Sequence, residues 1–146
     1  MALKKKGKYW YGDTRDDIQE EVVRYSISNA YRATKFAKPT CTCGGVSFRL
    51  ESDEEEGAGR RTCINCQQVH LIGDSADYEA DAEFEHHQCV CDGDQFELAL
   101  GVALYEDSND VRWCYIGCRC TQCKLVGVFA DWKCEASDAD AFLAAA

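Results

Sequence analysis

Cys41-Thr-Cys43-Gly-Gly-Val-Ser-Phe48-Arg-Leu50 and Cys89-Val-Cys91-Asp-Gly-Asp-Gln-Phe96-Glu-Leu98 are two versions of one pattern. In both, phenylalanine stands five residues after the second cysteine and leucine two residues further on. Each version closes on a second cysteine pair, Cys63-Ile-Asn-Cys66 and Cys120-Thr-Gln-Cys123. Eight residues past the last cysteine each carries an aspartate, Asp74 and Asp131. Agreement at so many places marks an internal duplication.

Between its cysteine pairs each repeat reads as a β-hairpin. In the second, Phe96, Leu98, Leu100, Val102 and Leu104 alternate with Glu97, Ala99, Gly101, Ala103 and Tyr105, the period of a strand. The polar turn 106–110 follows, and Val111, Trp113 and Tyr115 alternate on the return. The small residues at 99, 101 and 103 leave room for another element to approach that face. In the first repeat the acidic, glycine-containing run 51–59 is the turn, and the acid- and alanine-rich stretch 74–85 links the repeats.

The cysteine spacings are Cys-x-Cys-x19-Cys-x2-Cys and Cys-x-Cys-x28-Cys-x2-Cys. Two close pairs separated by a hairpin can converge on one tetrahedral point, which is what zinc asks of four thiolates. Gly44 and Gly45 suit the tight turn that aims backbone N–H groups at sulfur. The expected metal ligands are therefore Cys41, Cys43, Cys63 and Cys66 in one site and Cys89, Cys91, Cys120 and Cys123 in the other. Two Zn2+ per chain is the expected complement, with iron a second candidate for such a thiolate set. Four thiolates close the coordination shell and leave no position for a reactive water, so the role expected is structural.

Cys118 lies two residues before Cys120, which makes the register ambiguous. Aligning the repeats sets Arg61 opposite Cys118 and leaves Cys118 a spare. Cys114 and Cys134 also stand outside the pattern, and Cys114 reads as a packed thiol. With four cysteines per site, His70, His86 and His87 are not needed as ligands.

Over residues 41–134 the chain resembles a tandem, or double, zinc ribbon. It departs from most ribbons in having Cys-x-Cys rather than Cys-x-x-Cys in the first knuckle of each unit. The resemblance implies a small metal-stabilised α+β protein, with an N-terminal helix followed by two zinc-ribbon β-hairpin units. The expected divisions are a basic tail and helix at 1–39, ribbons at 40–80 and 86–134, and a C-terminal tail at 135–146. Spacing leaves open whether the two ribbons share a sheet. The helix is expected after a cap at Asp13, with Asp16 and Asp17 in its first turn and Ile18, Val22, Val23 and Tyr25 on its apolar side. Lys38-Pro39 ends that segment.

Composition narrows the function. The 146 residues contain 11 cysteines and carry a formal charge of −10. Four of the 16 basic residues are Lys4, Lys5, Lys6 and Lys8, so from Tyr9 onward 12 basic residues face 26 acidic ones. Eight thiolates and two Zn2+ ions would carry the formal charge to −14. Such a surface disfavours phosphate backbones, which makes nucleic acid an unfavourable partner. The N-terminus has no apolar run after its lysines, so neither a secretory signal nor a membrane span is expected, and a cytoplasmic protein is. Cysteine abundance without export points to metal rather than disulfides.

The reading that follows is a non-enzymatic, acidic protein-interaction module. Its expected partner is a basic protein, toxin-like or regulatory, with bacterial immunity proteins as the analogy for an inhibitor of this profile. Tyr9, Trp10, Tyr11 and the acidic turns 53–56 and 106–110 are the candidate contacts. The alternative is a transcription- or nucleic-acid-associated ribbon, with Arg60, Arg61, Arg112, Arg119 and Lys124 near the knuckles. No Ser-His-Asp grouping, phosphate loop or His-x-x-x-His pair suggests an enzyme, and Asp74 and Asp131 read as strand-end or knuckle-bonding residues.

Overall fold

The computed structural model describes residues 3–146. It overturns the expected fold class: the chain builds one ten-stranded antiparallel sheet, with one substantial helix and a short C-terminal one. The strands are β1 (Lys4–Lys6), β2 (Tyr9–Tyr11), β3 (Lys35–Ala37), β4 (Phe48–Asp53), β5 (Ala58–Cys63), β6 (Val69–Leu71), β7 (Glu85–His86), β8 (Phe96–Leu104), β9 (Val111–Cys120) and β10 (Leu125–Lys133). The helices are α1 (Arg15–Ser28) and α2 (Ala139–Ala144). Among the described residues no helix is long and apolar enough to cross a membrane.

Two features of the sequence turn separate hairpins into one sheet. First, the chain does not stop after each last cysteine but returns as a third strand, β6 or β10, so each repeat is a three-stranded meander. Second, the repeats join through their equivalent residues, because Phe48 pairs with Phe96 antiparallel. The sheet order β6-β5-β4-β8-β9-β10 is thus a palindrome of the repeats. It has the self-complementary logic of a two-fold interface within a single chain.

The lead-in segments obey the same symmetry. β3, just before Cys41, pairs with β8 of the second repeat, Ala37 against Leu100. β7, just before Cys89, pairs with β4 of the first, Glu85 against Ser52. The shift that carries Cys41 onto Cys89 also carries Ala37 onto Glu85 and Ser52 onto Leu100. Each repeat therefore lends its leading strand to the other in the same register.

Alternation places the core as the sequence implied. Phe96, Leu98, Leu100 and Val102 of β8 join Cys114, Ile116 and Cys118 of β9, Phe48 and Leu50 of β4, and Trp132 in one buried cluster. Glycines at 57 and 59 let the β4–β5 turn settle against Trp132, since a Cβ on Gly59 would stand 3.1 Å from both Trp132 and Ile116. The other face of β8 and β9 carries the small residues, and α1 packs there. A Cβ on Gly101 or Gly117 would meet Val22 at 2.6 Å, so the helix lies on bare backbone. Ile18 and Val22 are fully buried, worth roughly 1.5–3 kcal/mol apiece.

The ends of the chain are more ordered than expected. Residues 4–11 form a hairpin through Gly7 (φ +63°), and β2 adds to β10. Tyr9, Trp10 and Tyr11 are half-buried there, with Arg24 and Lys5 over the Trp10 ring at 5.1 and 5.7 Å. Helix α1 begins one residue later than expected, after Thr14, and Asp17 accepts from the Asp13 and Thr14 N–H groups. Helix α2 buries Ala139 and Phe142 in the main core.

Candidate metal centres

The eight cysteines singled out by spacing gather into two groups: Cys41, Cys43, Cys63 and Cys66, and Cys89, Cys91, Cys120 and Cys123. Within each group all four sulfurs lie within 4.8 Å of one another. The Cys41–Cys66 and Cys43–Cys63 sulfurs are 3.5 and 3.6 Å apart, and the Cys89–Cys123 and Cys91–Cys120 sulfurs 3.6 Å. A tetrahedron with metal–sulfur bonds of about 2.3 Å has edges of about 3.8 Å. The donor sets therefore fit a tetrathiolate metal.

Local backbone explains why they converge. The residue after the second cysteine of every pair has positive φ: Gly44 (+91°), Gln67 (+65°), Asp92 (+73°) and Lys124 (+70°). That turn lets the Gly44 N–H reach the Cys41 carbonyl and the Asp92 N–H the Cys89 carbonyl, at 2.8 and 2.9 Å. Gln67 and Lys124 do the same for Cys63 and Cys120, both at 2.9 Å. One residue on, Gly45 and Gly93 are glycines for lack of space, since a Cβ would stand 2.9 Å from Cys63 Sγ and 3.2 Å from Cys120 Sγ. Strand pairing sets Cys63 beside Phe48, Phe48 beside Phe96 and Phe96 beside Cys120. The two centres thus flank the junction of the repeats.

Backbone N–H groups two residues along point at the sulfurs. The Cys43 N–H holds the Cys41 thiol down at about 6, helped by Cys66, and the Gly93 N–H lowers Cys91. The Gln68 N–H also pulls on Cys66, but its three thiol neighbours and burial together push it up to about 12. Burial takes Cys89 to about 12 as well, against the Cys91 N–H. Cys41 and Cys91 are thus pulled toward the thiolate while Cys66 and Cys89 hold their protons. A divalent cation replaces those protons and reverses that preference.

The remaining cysteines and the histidines stay apart. Cys118 pairs with Leu98 just as Arg61 pairs with Leu50, the equivalence read from the alignment. Cys114 and Cys118 are wholly buried, and burial pushes both thiols well up. Burial, then Asp74, takes Cys134 to about 11. His70 donates to the Ala145 carbonyl at 2.8 Å, and His86 stands 3.3 Å from Asp94. Asp131 lies within β10 and Asp74 beside Cys134 (4.0 Å), so neither bonds a knuckle.

One pair was not visible in the sequence. Ser52 and His87, 35 residues apart, meet at 2.6 Å (Oγ to Nε2) because β7 pairs with β4. Burial lowers the His87 pKa. Carboxylates of Asp53, Glu54, Glu83 and Glu85 line the same 240 Å³ cavity, a field opposed to any oxyanion. The contact satisfies a buried serine.

Comparison with protein-family models, curated proteins and solved structures gave no match to this chain. What the geometry itself defines is a protein with two tetra-cysteine groups able to hold metal ions.

Proposed function

We propose that this chain is a double zinc ribbon holding two structural Zn2+ ions, non-enzymatic, and that it presents an acidic surface to a basic protein partner in the manner of an inhibitor or immunity protein. The observation that carries the reading is the gathering of carboxylates around cavities away from the cysteines. Asp53, Glu54, Glu55, Glu83 and Glu85 line one, and Asp74, Asp77, Glu135 and Asp138 line a 370 Å³ groove. Closed tetrathiolate sites supply folding energy rather than chemistry. A concentrated negative field speeds capture of a basic protein and repels acidic ones. A reducing compartment such as the cytoplasm suits free thiolates.

The nucleic-acid reading has one observation in its favour: Lys4, Lys6 and Lys124 line a 180 Å³ cavity beside Cys123. Immobilised metal-loaded protein, challenged with native lysate, separates the two. The expected catch is a protein of net positive charge, released as salt rises from about 0.05 to about 0.5 M. Nucleic acid in the eluate would select the alternative, and a catch indifferent to salt would remove charge as the driver. Elemental analysis is expected to give two zinc ions per chain.

A further inference from the structure

The groove between the repeats differs from the other acidic cavities in having unsatisfied polar groups in its walls. It has two connected parts, of 370 and 160 Å³, that share Asp74, Tyr78 and Glu135. Asp74 Oδ1 is buried without a hydrogen-bond partner. So is the indole Nε1 of Trp132, a residue only 3 % exposed that lines the smaller part. An N–H and a carboxylate oxygen buried without partners are each destabilising unless a ligand or water meets them.

The repeat supplies an internal control. Counted from the last cysteine, Asp131 is the sequence counterpart of Asp74, set one place off along the strand by the bulge between Val128 and Ala130. Its carboxylate accepts from Trp113 Nε1 at 2.9 Å and from the Tyr25 hydroxyl at 3.2 Å. At one copy of the site the chain itself brings donors to the aspartate. At the other it brings none to Oδ1, and the residue lines the groove.

We propose that this groove receives an arginine side chain of a basic polypeptide, with Asp74 and Glu135 as its carboxylate partners, the Tyr78 ring as its flat wall, and the Trp132 N–H donating to a carbonyl of the ligand's backbone. This rests on the acidic-module reading and names the chemistry it would recognise. A planar guanidinium offers donors in a fork that suits carboxylates and stacks on aromatic rings, which an ammonium does less well. Tyr78 is 37 % exposed and free to be covered. Among the residues lining the two parts the one cation is Lys133, whose Nζ lies at 4.0 Å from Glu135. Burial, reinforced by Asp77, raises the Asp74 carboxyl above its ordinary range, the state a bound cation relieves.

The test titrates the metal-loaded full chain with acetyl-Gly-Arg-Gly-amide and with its lysine and citrulline counterparts, following the Trp132 indole N–H signal by NMR. Saturable movement of that signal by the arginine peptide is expected, with the neutral citrulline peptide weaker by about tenfold or more. Asp74→Asn and Tyr78→Ala are each expected to weaken the arginine peptide several-fold while leaving metal content and the other two indole signals unchanged. An unmoved Trp132 signal, or citrulline or lysine peptides bound as well as arginine, would overturn the assignment. The two proposals fail separately: salt-sensitive capture of a basic protein that survives Asp74→Asn sinks the groove alone, whereas absence of any such capture by the wild type sinks the wider reading.

Discussion

In the first repeat the strands between the cysteine pairs run Phe48–Asp53 and Ala58–Cys63; in the second they run Phe96–Leu104 and Val111–Cys120. The knuckles at their ends nonetheless match, down to the positive-φ residues and the glycine that clears each sulfur. Surroundings diverge instead. The second meander is covered on one face by α1 and on the other by the shared core, while among the described residues no helix such as α1 is laid along the first. Cys43 and Cys66 are exposed, but Cys91 and Cys123 are half-buried. The difference teaches that metal geometry is a property of a few turn residues, whereas the stability around it depends on what the strands lie against.

The sharpest way to break this comparison is to remove one ligand from each centre. Apparent binding energies of about 10–16 kcal/mol for structural zinc exceed or equal the whole stability of an ordinary domain. Cys120→Ser, in the strand that holds the core, is expected to abolish the cooperative fold. Cys43→Ser is expected to cost the first metal while β8–β10 and α1 stay assembled. Circular dichroism with amide exchange on the two variants checks this, and equal collapse of both would show the repeats to be one folding unit. With the wild type, a chelator is expected to withdraw the metal held by exposed Cys43 and Cys66 first.

The two cysteine clusters could be read from residues alone, the single sheet could not, and what escaped has physical causes. The cysteine spacing defined both clusters, and the small residues at 99, 101 and 103 announced the close approach that α1 makes. The third strands escaped because Val69–Leu71 is only three residues long and β10 carries a bulge between Val128 and Ala130 that breaks strict alternation. Strand exchange between the repeats escaped because β3 and β7 are three- and two-residue segments without periodicity. Their pairing is fixed by the two-fold relation of the folded repeats. Ser52–His87 and the Asp74 groove lie downstream of that same long-range pairing.

A finer contrast separates the paired aspartates. Asp131→Asn leaves one acceptor where a carboxylate served two donors, so a loss of about 1–3 kcal/mol is expected by chemical denaturation. Asp74→Asn is expected to be neutral or stabilising at pH 7. The sign follows from the folded-state pKa, which lies above that of the unfolded chain. The protonated carboxyl is the favoured form in the fold, so its stability is fully present at pH below the unfolded value and is lost as pH rises through the folded one. The advantage of asparagine should accordingly vanish at low pH. Equal destabilisation by both variants would mean that Asp74 has partners like those of Asp131.

The smallest effect lies in the knuckle turns, where the repeats use different residues for one conformation. Gly44 stands at φ +91° and its counterpart Asp92 at φ +73°. A left-handed backbone costs a residue with a Cβ about 1–2 kcal/mol, less for aspartate, whose short side chain can bond locally. A Cβ on Gly44 would meet nothing within 4 Å, so strain alone is at issue there. Gly44→Ala is therefore expected to cost about 1 kcal/mol and Asp92→Gly to gain a few tenths to about 1 kcal/mol, each read as a shift in the midpoint of chemical unfolding with metal retained. A gain from Gly44→Ala, or a loss of metal from Asp92→Gly, would mean that the two turns are not doing the same job, and that the likeness of the knuckles is one of outline only.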